Sequence, residues 1–511
     1  MEPQEESTPY VLWCENNSTL YFLSSNTKYN EGDSFEGGTI TNVWSGENIV
    51  SNGTEEPVWG VVADKAKHAI FDESFSQVIP TSTFHWFFSF ENLEDIEGLR
   101  NLITSEVTNM RAMFSTCRKL KSLDLSNFNT SKVTTMVNMF AACESLTTLD
   151  VSSFNTASVT TMEAMFRRCS ALGALDLSNF NTTNVTDMYY MFRECTNLRD
   201  VKVSSFNTNS VENMSCMFYE CSSLEEVDLS SFETSSVTNL GWMFYGCKSL
   251  KSLDLSHFNT ENVSVMRTMF GGCEALDNLD LSSWNTQKVE SLRSMFINCK
   301  AMKKLDLSHF NTESNTSLSY MFYNCPNLEE INISSFDTQN VVECDSVFSW
   351  CRNLTSIQFG NFDLRNTKSI RHMFLGCNSM KELDLHDFKT ESIEDMTALF
   401  YGCTQLRTIY VGDDWSIRNV KSSGSMFYNC YNLIGGNGTV YDSKHVDATY
   451  ARVDKEGVPG YFTHIESLGI ENLLYDSSKQ NGYYNINGLK TNGYPQRKGL
   501  YIHNKRKYVI H

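Results

Sequence analysis

A cysteine recurs every 26 residues through most of this chain. Cys117, Cys143, Cys169, Cys195, Cys221, Cys247, Cys273, Cys299, Cys325, Cys351, Cys377 and Cys403 hold that period, and Cys430 follows after a step of 27. Thirteen of the sixteen cysteines therefore form one column. Phenylalanine stands three residues ahead of each, from Phe114 to Phe427. A second aromatic column runs Phe128, Phe154, Phe180, Phe206, Phe232, Phe258, Trp284, Phe310, Phe336, Phe362, Phe388 and Trp415. Such a register admits one class of fold. A unit this short cannot bury its own apolar face, so the units must stack on one another.

Within a unit the apolar period changes. Val133, Met136, Met139, Phe140 and Cys143 mark one stripe of a short helix, whereas Leu123 and Leu125 flank Asp124 with period two. Each unit thus reads as strand, loop, helix, turn, and C-x-x-L-x-x-L-x-L-x-x-F lies close to the leucine-rich-repeat template. The expected fold is an α/β solenoid, a leucine-rich-repeat-like stack of about 13 strand-loop-helix repeats with strands about 4.8 Å apart. Between residues 100 and 430 only Pro326 interrupts the supply of backbone N–H donors. The cysteine column is in phase with the buried stripe, so its thiols read as small buried hydrophobes, with occasional cross-rung disulfides as the lesser alternative. Cys14, Cys216 and Cys344 are off register and read as structural.

Residues 1–92 lack the repeat but carry Trp44, Trp59, Phe71, Phe75, Phe84, Trp86, Phe87, Phe88 and Phe90, enough aromatic surface to form an N-terminal cap. The solenoid is expected over 93–430 and a C-terminal cap over 431–465, with Tyr450, Tyr461 and Phe462 covering the last rung. Residues 470–511 are different. From residue 471 they hold seven lysines and arginines against Glu471 and Asp476, and their Gly- and Asn-punctuated alternation reads as a small antiparallel β module. Its basic face is either solvated or a docking surface for something anionic. The whole chain has 61 acidic and 41 basic residues, a net charge of −20. That sign opposes binding to nucleic acid. No window is apolar for long enough to span a bilayer.

Units such as Met139-Phe140-Ala141-Ala142-Cys143 through Asp150-Val151-Ser152-Ser153-Phe154-Asn155-Thr156 resemble the 26-residue repeat of BspA-type leucine-rich-repeat surface proteins of bacteria. The likeness spans residues 84–465 and includes Gly435-Gly436-Asn437-Gly438-Thr439 and Asp447-Ala448-Thr449-Tyr450-Ala451, which look like that family's usual close. The last segment, from Tyr484-Asn485-Ile486-Asn487-Gly488 through Lys498-Gly499-Leu500 to Lys507, is similar to type IX secretion sorting domains. The resemblance implies a secreted, cell-surface protein that adheres to extracellular-matrix or other cell-surface proteins; the alternative reading is a carbohydrate-binding or spacer protein that projects its N-terminal module from the cell surface, with glycans as partners. It supplies no catalytic residues. The acidic start Met1-Glu2-Pro3-Gln4-Glu5-Glu6 is not an export signal, so either the protein stays inside the cell or this is a mature form with its signal removed, and the family reading implies the second.

Two surface columns are candidate binding sites. Between the strand leucines, on what such a solenoid would make its concave face, stand Asp124, Asp150, Asp176, Asp228, Asp254, Asp280, Asp306 and Asp384. Stacked like charges should draw a basic partner or cations, unless hydrogen bonds to the adjoining serines hold them as a solvated face. On the other side, Tyr190, Trp242 and Tyr320 precede the buried Met, and Tyr219, Tyr245, Tyr323, Tyr401 and Tyr428 follow the buried Phe. Aromatics so placed can anchor partners; of these, Tyr190, Trp242, Tyr245, Tyr320 and Tyr323 are taken as candidates. No hydrolase, zincin or P-loop motif occurs, so neither catalysis nor a cofactor or metal is expected.

Overall fold

The computed structural model describes residues 7–50 and 53–465, and beyond them the backbone of four strands, Tyr483–Asn485, Lys490–Thr491, Gly499–His503 and Arg506–Ile510. The chain divides into two compact units. The first comprises residues 1–289 and 295–302, the second residues 290–294 and 303–511.

The first unit opens with a six-stranded sheet. Its strands are β1 (Thr8–Cys14), β2 (Thr19–Ser25), β3 (Ser34–Phe35), β4 (Gly38–Ser45), β5 (His68–Phe71) and β6 (Asp95–Glu97), in the order β3-β4-β1-β2-β5-β6. The β1–β2 and β1–β4 pairs are antiparallel, but β2–β5 and β5–β6 are parallel, so the register of the repeats begins inside the cap. Phe22 gathers the expected aromatics: its ring stacks on Phe71 at 4.3 Å and meets Trp59, Phe75, Trp86 and Phe87. Phe88 remains 38% exposed.

Strands of the repeats then pair in parallel with a shift of 26 residues, with one exception at the C-terminal end. In the first unit β7 (Ala174–Asp176) pairs with β8 (Asp200–Lys202). In the second, β9 (Lys304–Asp306), β10 (Glu330–Asn332) and β11 (Ser356–Gln358) form one sheet, and β12 (Glu382–Leu385), β13 (Thr408–Val411) and β14 (Phe462–His464) form another. The exception is β13, which pairs with β14 of the C-terminal cap segment 53 residues on. Four antiparallel-paired strands close the chain, β15 (Tyr483–Asn485), β16 (Lys490–Thr491), β17 (Gly499–His503) and β18 (Arg506–Ile510). The side chains of that segment, and with them its basic face and likeness to a sorting domain, lie outside the described residues.

The helix expected in each repeat is not there, which corrects the α/β class. Among the described residues the sole α-helix is Glu47–Val50, in the cap. In place of helices run successive tight turns. Met139 N, Ala141 N and Cys143 N donate within the repeat, to Met136 O, Asn138 O and Phe140 O. Between them Phe140 N and Ala142 N donate to Met165 O and Arg167 O of the next repeat, at 2.9 and 2.6 Å. An α-helix would bond its interior N–H groups to carbonyls four residues back in the same repeat; here alternate donors bind rung to rung. The cause is conformational. Each repeat holds two left-handed residues four apart, such as Asn138 (φ 55) with Ala142 (φ 57) and Tyr190 (φ 61) with Glu194 (φ 62), and L-residues do not sustain that inside a right-handed helix. The turns carry their own parallel ladder, from Ser82 through Asn109, Thr135, Thr161, Asp187, Asn213 and Asn239 to Val265 in the first unit. It begins at Ser82, within the segment assigned to the N-terminal cap.

Columns fill the interior. Phe87, Phe114, Phe140, Phe166, Phe192, Phe218, Phe244, Phe270 and Phe296 are stacked, with neighbouring centroids 5.4 to 6.1 Å apart. In the second unit Phe322, Phe348, Phe374, Phe400 and Phe427 do the same, and Tyr461 and Phe462 cover the last of them. All sixteen cysteines are buried free thiols. The column thiols point at a carbonyl of the preceding repeat, as Cys143 Sγ does to Phe114 O at 3.1 Å. A threonine column is equally buried. Thr182 is 0% exposed, and its hydroxyl donates to Asn207 O and accepts from Asn207 N, both at 2.8 Å. Thr130, Thr156, Thr260 and Thr312 repeat the pattern.

Candidate functional site

The strand face carries the aspartate column. Asp124, Asp150, Asp176, Asp228, Asp254, Asp280 and Asp306 are exposed and Asp384 is half-buried. Each carboxylate folds back on its own repeat, accepting from the backbone N–H two residues on: Ser126, Ser152, Ser178, Ser230, Ser256, Ser282, Ser308 and, for Asp384, His386. Ser126 and Ser256 also donate their hydroxyls, at 2.6 and 2.7 Å. These bonds favour the ionised form and hold Asp124, Asp150, Asp228 and Asp254 below their ordinary range, through the serine hydroxyl in Asp124, Asp228 and Asp254 and through Ser152 N in Asp150. Asp176 is lowered chiefly by Lys202, whose Nζ lies 2.7 Å away. The column is therefore a set of local Asx turns, in which the second carboxylate oxygen of Asp176 is taken by Lys202.

The turn face carries the aromatics. In the first unit the structure brings Tyr190, Trp242 and Tyr245 into one strip across four consecutive repeats. The Tyr189 and Tyr190 rings stack at 3.6 Å. The Arg193 guanidinium sits between Tyr190 and Tyr219, 4.5 and 4.7 Å from their centroids, and Tyr219 stacks on Tyr245 at 4.9 Å. Arg267 of the next repeat lies over Trp242 at 4.1 Å. The rings are half-buried. Burial pushes the Tyr189 and Tyr219 hydroxyls and the Asp187 carboxyl above their ordinary values. Beside the strip lies a groove of about 470 Å³ lined by Glu144, Arg168, Ser170, Glu194, Thr196, Tyr219 and Glu220. Arg168 bridges Glu144 and Glu194 across it at 3.3 and 3.4 Å, and Arg193 Nε donates to Glu194 at 2.8 Å.

Tyr320 and Tyr323 belong to the second unit. They meet edge to face at 5.8 Å, with Arg293 5.2 Å from the Tyr320 centroid. A cleft of about 240 Å³ beside Tyr320 is closed by paired charges, Arg293 with Glu343 at 2.7 Å and Arg371 with Asp345 at 2.9 Å. Among the described residues no group of three His, Cys, Asp or Glu is placed to hold a metal ion. Sequence reasoning did not select Arg193 or Arg267. The signal for Arg193 was available, since it stands in the column that holds Tyr219 and Tyr245 in the next two repeats.

A family described as "Mycoplasma protein of unknown function, DUF285" matches five overlapping stretches, residues 82–200, 173–278, 222–330, 250–357 and 316–438. The chain belongs to this family. The DUF285 matches begin at the residue where the turn ladder begins, and their overlap follows from the repeat. No curated protein matches the chain. Among solved structures it is similar to a leucine-rich repeat protein from Eubacterium ventriosum, with 16% identity, 77% of this chain and 92% of that one covered, and a TM-score of 0.40. It is also similar to a leucine rich cell surface protein from Faecalibacterium prausnitzii, with 17% identity, 70% and 94% covered, and a TM-score of 0.30. Scores this low add nothing to the fold described above. No described helix is long and apolar enough to cross a membrane.

Proposed function

We propose that this DUF285 member is a non-enzymatic cell-surface scaffold that binds partner proteins, matrix proteins or proteins of neighbouring cells, through side chains repeated on successive rungs. The observation that carries the reading is the strip of Tyr189, Tyr190, Arg193, Tyr219, Trp242, Tyr245 and Arg267. Tyr, Trp and Arg are the residue types that dominate binding energy at protein interfaces. Here they are already held in place by mutual stacking, which lowers the entropy cost of engaging a partner. The ring faces of Tyr190 and Tyr219 are occupied by Arg193, and sugars need an open ring face, so a protein partner fits the strip better than a glycan. The aspartates of the strand face add weaker, salt-dependent contacts that sum along the array. The likeness of the last forty residues to a sorting domain supports export and anchoring at the surface.

The test is binding of the full chain to immobilised extracellular-matrix proteins and to a glycan array, alongside Tyr219→Ala/Trp242→Ala and Asp254→Asn/Asp280→Asn variants. Saturable binding to a matrix protein, lost in the aromatic variant and weakened less than about tenfold in the aspartate variant, is the expected result. Binding to glycans alone would replace this reading with that of a carbohydrate-binding or spacer protein.

A further inference from the structure

We propose that the second unit contains a weak rung, the repeat from Leu307 to Cys325, at which it opens locally before its neighbours do. The core of each repeat includes a small residue five positions after the recurring Phe or Trp of the second aromatic column. Val133, Val159, Val185, Val211, Val237, Val263 and Val341 fill that column at 0% exposure. In this repeat the position is Asn315, also 0% exposed, and its Nδ2 has no hydrogen-bond partner. Its Oδ1 accepts only a 3.2 Å bond from Ser317 N. A polar side chain is not in itself a defect here, because Thr367 occupies the same column and donates to Val341 O at 2.6 Å. Asn315 is the member left half satisfied.

The same repeat holds a second orphan, His309 Nε2. The corresponding atom of His257, two repeats earlier, bonds to Leu229 O at 2.9 Å. Ser317 and Ser319 are buried at 6% and 2%, and Pro326 follows at once. Two of the six buried, unpartnered side-chain atoms among the described residues thus fall in one repeat. Opening hydrates those atoms and so costs this rung less than its neighbours. For a scaffold held at a surface, the consequence is a defined yield point.

The cysteine column supplies the test, because every rung carries its own buried thiol and a buried thiol reacts only when its rung opens. Burial raises the Cys351 and Cys377 thiols well above the ordinary value, so in the closed state neither is a nucleophile. The folded full chain would be pulsed with iodoacetamide and its cysteines mapped by mass spectrometry. Cys325 is expected to be modified at least about tenfold faster than Cys351 and Cys377, and Asn315→Val to slow Cys325 about tenfold while leaving Cys377 unchanged. Equal rates for Cys325 and Cys351 in the wild type would overturn the proposal. So would an Asn315→Val chain in which Cys325 reacts as before. Amide exchange of residues 315–325 should follow the same order and does not depend on thiol chemistry.

Discussion

Replacing Gly402 with alanine separates the turn ladder from a helix by the sign of the effect. Gly402 directly precedes Cys403, at a position the sequence pattern places on a helix. There, Gly→Ala should stabilise by about 1 kcal/mol, the difference in helix propensity. The structure gives Gly402 a φ of +75°, and an added Cβ would meet nothing closer than Gly376 Cα at 3.8 Å, an ordinary contact. Sterics therefore drop out and only backbone conformation remains. The left-handed region costs an alanine about 1–2 kcal/mol, offset by about 0.4–1 kcal/mol because alanine also restricts the unfolded chain. The net expectation is destabilisation by about 0.5–1 kcal/mol, with Gly402→Asn close to neutral. Denaturant titration of the full chain, followed by fluorescence and compared at constant slope, measures both changes. A chain made more stable by Gly402→Ala would refute the left-handed assignment, and with it the reason given for the missing helices.

Two further outcomes follow from buried polar groups. Thr182→Val keeps volume but strips Asn207 N–H and C=O of their shared partner, and should cost about 2–4 kcal/mol in the first unit, whereas Thr160→Val, at an exposed hydroxyl with a single 3.2 Å bond, should cost less than about 0.5; equal midpoints in denaturant would show that water already serves Asn207. Asp363, whose side chain is 3% exposed between Arg365 and Lys389, is lowered to about 2 from its ordinary 3.8, chiefly by the Arg365 hydrogen bonds. A depressed carboxyl stabilises the fold above its unfolded value and loses that contribution as pH falls through the folded one, so about 2 kcal/mol at most should disappear between pH 4 and pH 2. Asp363→Asn should remove that part of the acid limb; an unchanged limb would show that the ion pairs carry no net stability.

Much of this architecture was readable from columns. Cys143, Phe140 and Phe154 named the buried face of each repeat and the step between repeats, because only a stack needs the same side chain at the same place so many times. The helix was misread because Met136, Met139, Phe140 and Cys143 have the spacing of a helical stripe, and successive tight turns bring the same positions inward. Dipeptides in the sequence argued against it: Gly246-Cys247, Gly272-Cys273, Gly376-Cys377 and Gly402-Cys403, with Asn298-Cys299, Asn324-Cys325 and Asn429-Cys430. Gly and Asn are the residues that tolerate a left-handed backbone, and a helix interior would not call for them seven times. Thr182 and its column escaped notice because threonine reads as surface; only the cross-rung backbone shows why a hydroxyl belongs inside. The aromatic strip was half visible. Tyr190, Trp242 and Tyr245 could be selected by column, but Arg193 joins Tyr190 to Tyr219 through space between repeats, which periodicity alone does not express.

The far-ultraviolet circular dichroism spectrum of the full chain tests the central structural claim most directly. A ladder of short parallel strands and successive turns predicts a weak spectrum without the paired helical minima, and a slow, cooperative loss of signal on heating. A spectrum dominated by those minima, at the intensity that a helix in every repeat would give, would contradict the ladder.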